Sequence, residues 1–88
     1  MKIVYNRALL KDVKKITKKK LQQKIEDAII EMKNVPNLND LKGLKRLKGH
    51  PFAYRIRIGD YRLGFYFDNN TIELIRFLKR NDIYKVFP

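Results

Sequence analysis

The chain has 88 residues, enough for one modest core, and no cysteine, which excludes disulfide scaffolds and thiolate metal sites. Its 21 Lys and Arg against nine Asp and Glu give +12, more than solubility needs, and imply a polyanionic partner: RNA, DNA or an acidic protein. No apolar run approaches the roughly 18 residues that span a membrane, and MKIVYNRALLKD meets charge too soon for a signal-peptide core, so cytoplasm is the expected compartment.

Lys2 to Tyr5 is β-prone and reads as a first strand. Asn6 is a good N-cap, and RALLKDVKKI places Leu9, Leu10, Val13 and Ile16 on one helical face. The run Lys18-Lys19-Lys20 sits at a bend into a second helix, with Thr17 placed to cap it. There Leu21, Ile25, Ala28, Ile29 and Met32 form an apolar stripe that ends before Pro36. These helices suggest an α-hairpin on one sheet face. Asn37 to Pro51 reads as a basic loop with one irregular turn burying Leu38, Leu41, Leu44 and Leu47. Its Lys42, Lys45, Arg46 and Lys48 fit either solvated cations or polyanion contacts.

Ala53 to Ile83 reads as three strands joined at Gly59-Asp60 and Asn69-Asn70, both two-residue hairpin chemistries. A two-residue loop at Gly59-Asp60 pairs Ile58 with Tyr61 and Arg57 with Arg62. Ile56, Ile58, Leu63, Phe65, Phe67, Ile72 and Leu74 then face the helices. Arg55, Arg57, Arg62, Gly64, Tyr66, Glu73, Ile75, Phe77 and Lys79 take the other face. Arg76 falls on the helix side and is expected at a sheet edge, reaching solvent. The tail is expected to pack Ile83, Val86 and Phe87. Like charges directly opposite destabilise a sheet, so the converging arginines point to an anion site. The alternative is a solvated basic face.

With one histidine, no serine and no close carboxylate pair, the chain is a poor metal catalyst. A two-histidine ribonuclease and a serine hydrolase are excluded. His50, before Pro51, reads as a loop residue. The arginines suit a phosphate-directed reaction, and a phenol among guanidinium groups is a candidate general base toward an RNA 2′-hydroxyl. The product would be a 2′,3′-cyclic phosphate, formed without metal or cofactor.

The order β-α-α-β-β-β, the small basic chain and LKGHPFAYRIRIGDYRLGFYFDNNTIELIRFLKRNDIY together resemble the RelE/ParE toxins of type II toxin–antitoxin systems. The resemblance implies one α+β domain over residues 1–88, a small antiparallel sheet with an α-hairpin on one face, as in microbial ribonucleases. RelE-type members cleave mRNA in the ribosomal A site and so inhibit translation. Their basic strand pair matches Arg55 and Arg57, the arginine of their Tyr-Arg-Leu step Arg62, their last-strand arginine Arg80 or Lys79, and their C-terminal tyrosine, the proposed base, Tyr84. Implied partners are an antitoxin, mRNA on the ribosome, and rRNA through Lys42, Lys45, Arg46, Lys48 and Lys79. Two features depart from the pattern. Arginines stand where some members carry lysines, and the interval from the last-strand arginine to the tyrosine is short. A ParE-like gyrase inhibitor and a non-toxic RNA-binding module are the alternatives.

Overall fold

Strand β1 (Lys2–Tyr5) ends at Asn6, whose side-chain oxygen accepts from the Ala8 backbone N–H at 2.9 Å and starts α1 (Arg7–Lys14). This is the N-cap expected from sequence. The computed structural model describes residues 1–88. Helix α2 (Lys19–Asn34) begins after Lys18 without a side-chain cap, so Thr17 does not cap it. Instead Gln22 Nε2 donates to the Ile16 carbonyl at 2.8 Å and closes the bend. The helix ends at Val35, ahead of Pro36.

Four more strands follow: β2 (Leu44–Arg46), β3 (Ala53–Ile58), β4 (Tyr61–Asp68) and β5 (Thr71–Lys79), then a short helix α3 (Arg80–Val86). The sheet order is β1-β5-β4-β3-β2, with β1 parallel to β5 and the other pairs antiparallel. The fold is the expected α+β, with a mixed sheet. Both hairpin turns fall where expected. Gly59 has φ 60°, Asn69 49° and Asn70 57°, the left-handed region that two-residue loops require. Ile58 faces Tyr61, and Arg57 faces Arg62.

Strand β2 was not expected. Leu38 and Leu41 are buried around a 3₁₀ turn at Leu38–Asp40, but Leu44 then enters the sheet opposite Ile56. Three residues are too few to show alternation.

The core lies between the helices and one sheet face. Leu9, Ile25 and Met32 pack there with Ile56, Ile58, Leu63, Phe65, Ile72 and Leu74. Leu10 and Val86, expected inside, are exposed. A β-bulge changes the last strand: Phe65 pairs with Leu74, yet Gly64 pairs with Arg76. The extra residue reverses the alternation beyond it. Phe77 therefore lies in the core, stacked on Tyr61 with ring centroids 5.0 Å apart, and Lys79 pairs with Tyr61. Leu78 instead joins the opposite face.

Arg76 does not simply reach solvent. Strand β1 pairs with β5 only as far as Leu74, and α1 covers the edge beyond. There Asp12 accepts from Arg76 Nε at 2.7 Å, Arg76 Nη2 at 3.1 Å and the Phe77 backbone N–H at 3.0 Å. The carboxylate satisfies the sheet N–H that β1 is too short to meet.

Candidate active site

The site is built on the sheet face away from α1 and α2. The β3–β4 turn sets Arg57 opposite Arg62, and the next pair on the same face is Arg55 with Gly64. Helix α3 crosses this face. Its first N–H, from Arg80, donates to the Asp60 carbonyl at 3.0 Å and ties the helix start to the turn. Tyr84 follows one helical turn after Arg80, and the Arg55 guanidinium carbon lies 5.5 Å from its ring centroid. The structure therefore brings Arg55, Arg57, Arg62, Arg80 and Tyr84 to one place.

Arg62 is the middle of the group and only 7% exposed. Sequence placed it on an open face, but α3 closes over that face. Its Nη1 donates to the Gly59 and Tyr61 carbonyls, both at 3.0 Å. Its Nε, and that of Arg55, are buried without a protein acceptor. Buried donors normally have partners, and guanidinium donors of this kind suit a phosphate. Burial, and then the charge of Arg55, lower the Arg62 pKa; Tyr84 raises it by less than either, and Arg57 and Arg80 add still smaller lowering effects. For Tyr84, burial opposes ionisation. The Arg80 side chain, placed to donate to the phenolate, and the charges of Arg55, Arg80 and Arg62 outweigh it and hold the phenol below its ordinary value. Tyr84 as a residue remains 48% exposed, so solvent reaches it despite the helix packing.

Beside this group is an open hollow of about 580 Å³, walled by Arg57, Arg62, Lys79 and Arg80 with Asp60 and Asp82. It has no hydrophobic lining residue, so it suits a polar, charged ligand. The other basic candidates are dispersed. Lys45 pairs with Arg55 and continues the arginine face. Arg46 pairs with Tyr54, whose ring packs against the core. Lys42 lies by α2, its backbone N–H donating to Glu31 at 3.2 Å, and Lys48 is exposed in the loop before His50. His50 is a loop residue, stacked on Tyr66 at 5.4 Å.

Sequence reading missed the close contact between Gly64 and Phe87. A Cβ at Gly64 would lie 2.7 Å from Phe87 Cδ2. The available signal was the pair Ile83 and Phe87, spaced to lie on one helical face.

Residues 3–84 match the sequence model of a family described as the ParE toxin of the type II toxin–antitoxin system parDE. The chain belongs to the RelE/ParE toxin superfamily. Within that superfamily it is 38% identical over 89 residues to toxin RelE3 of Methanocaldococcus jannaschii, with 100% of both chains covered. It also resembles the crystal structure of the RelB-RelE antitoxin-toxin complex from Methanococcus jannaschii, with TM-score 0.81 and 33% identity over 97% of this chain and 99% of that one. The RelE-RelB complex from Pyrococcus horikoshii OT3 shares the fold at TM-score 0.73 and 17% identity, over 90% of this chain and 93% of that one.

Proposed function

We propose that this RelE/ParE toxin is a ribosome-dependent mRNA endoribonuclease that stops translation and is neutralised by a cognate antitoxin. The observation that carries the reading is the pairing of a half-exposed Tyr84, its phenol held below the ordinary pKa, with the buried Arg62 guanidinium on one basic face. The Tyr84 phenolate takes the proton of an RNA 2′-hydroxyl. The 2′-oxygen attacks the adjacent phosphorus, the bond from phosphorus to the 5′-oxygen breaks, and the departing 5′-oxygen takes a proton from water. This leaves a 2′,3′-cyclic phosphate and a 5′-hydroxyl while Tyr84 returns its proton to solvent. Arg55 and Arg62 hold the non-bridging oxygens, and Arg57 and Arg80 stabilise charge at the leaving oxygen. Lys45 and Lys79 extend the phosphate contacts, with Lys42, Arg46 and Lys48 meeting rRNA elsewhere.

An antitoxin partner fits the charge of +12 and the 33%-identical relative crystallised as an antitoxin–toxin complex. The ParE family match favours a second reading, a gyrase inhibitor without nuclease activity. Primer extension on a translated message after induction separates the two. The nuclease reading expects cuts within codons and arrest of translation. DNA breaks and filamentation with translation continuing would establish the gyrase reading instead.

A further inference from the structure

Helix α3 carries Arg80 and Tyr84, yet it has seven residues and no side-chain cap. A helix this short has little stability of its own, so its orientation depends on how it is docked. Docking is by Ile83 and Phe87, both buried in a cluster with Ala53. The Phe87 backbone N–H donates to the Ile83 carbonyl at 2.9 Å, fixing the last turn.

The Phe87 ring occupies the one place on β4 that lacks a side chain. Three of its carbons would lie 2.7, 2.9 and 3.0 Å from a Cβ at Gly64. Gly64 does not have a positive φ, so the ring, and not the backbone, is what requires glycine there. Tyr66, two residues on, walls the socket at 5.4 Å from the Phe87 ring and is backed by His50. Gly64 is also the direct partner of Arg55, over whose guanidinium the Tyr84 ring lies.

We propose that Gly64 and Phe87 form a latch that sets the rotation of α3 and so positions the Tyr84 phenol against Arg55 and Arg62. Both are positioning residues. Phe87 takes the space a Cβ would fill, and the helix then presents its neighbouring stripe, Arg80 and Tyr84, to the arginines. The groups facing the phenol are Arg55 from β3, Arg62 from β4 and Arg80 from α3 itself. The consequence for cleavage rests on Tyr84 being the base. The geometry of the latch does not.

The test is ultraviolet titration of the Tyr84 phenol, taken as the difference between each protein and its Tyr84→Phe counterpart. It is run on the parent, Gly64→Ala, Phe87→Ala and Gly64→Ala/Phe87→Leu, and needs no RNA. Both single variants should raise the phenol toward its ordinary value, and the double variant, which trades ring for methyl, should lower it again. Cleavage on programmed ribosomes should fall by about 10²-fold in kcat in the single variants, as for a misplaced catalytic group, with KM little changed. A phenol that titrates as in the parent in both single variants would overturn the latch. So would complete unfolding of Phe87→Ala, because the main core is a separate cluster from the one that docks α3. Should Gly64→Ala not fold, Phe87→Ala, which adds no clash, decides alone. A raised phenol with cleavage intact would leave the latch standing and remove Tyr84 from the chemistry.

Discussion

Arg62 illustrates how one side chain serves function against stability. Burial and three neighbouring arginines disfavour its charge in the folded protein. Its two carbonyl hydrogen bonds offset only part of this. Arg62→Met, which keeps most of the volume and removes the charge, should therefore match the parent in stability or exceed it by about 1 kcal/mol while abolishing cleavage. Arg62→Ala leaves a cavity under α3 and should cost about 1–2 kcal/mol. Chemical denaturation of both variants checks the pair of signs. A large loss in Arg62→Met would make Arg62 a structural residue. The alignment of Arg62 with Arg57 was readable because the Gly59-Asp60 turn fixes register. Its burial was not, because it depends on a helix closing from a distant part of the chain. The pH dependence belongs to this scale as well. With the phenol lowered, the cleavage rate should rise with pH and level off below the ordinary tyrosine value near 10. Because folding lowers this acid's pKa, its ionisation contributes stability that is fully present above the ordinary tyrosine value and is lost as pH falls through the folded one.

Asp12 serves a whole element. It joins α1 to the part of β5 that β1 leaves unpaired, through Arg76 and the Phe77 N–H. Asp12 is 5% exposed and Arg76 26%, so water partly rehydrates the arginine when the pair is broken. Asp12→Ala should cost about 2 kcal/mol, less than a fully buried pair, read as a shift in the denaturation midpoint with an unchanged slope. A loss under about 0.5 kcal/mol, the range of surface substitutions, would show that α1 is held by apolar contact alone. The elements that sequence revealed are β1, α1 with its Asn6 cap, the apolar stripe of α2, and the β3–β4 and β4–β5 hairpins fixed by their turns. Strand β2 was hidden by a leucine spacing that suits a turn. Helix α3 was hidden by its length and its lack of a cap. The bulge at Gly64 and Phe65 was hidden because one extra residue changes facing without changing composition. The bulge left two traces, Arg76, which strict alternation put on the apolar side, and Phe77, which it put on the arginine face.

For the whole molecule the governing quantity is the charge of +12 on 88 residues. A surface this basic steers acidic partners over distances that salt screens. Association with a cognate antitoxin should slow markedly as ionic strength rises, while dissociation changes less, because apolar contacts hold the bound segment. Stopped-flow mixing across a salt series reads both rates, and a salt-independent on-rate would mean that charge plays no part in recognition. Ribosome binding should share that salt dependence and survive Tyr84→Phe, since phosphate contacts supply it. Single-turnover cleavage of mRNA on programmed ribosomes, with the new 3′ end identified chemically, tests the nuclease assignment most directly. The parent should cut within the A-site codon and leave a 2′,3′-cyclic phosphate, and Tyr84→Phe should cut about 10² to 10⁴-fold more slowly. Intact mRNA on ribosomes saturated with the folded parent protein, or a Tyr84→Phe rate within about threefold of the parent, far short of a lost base, would contradict it.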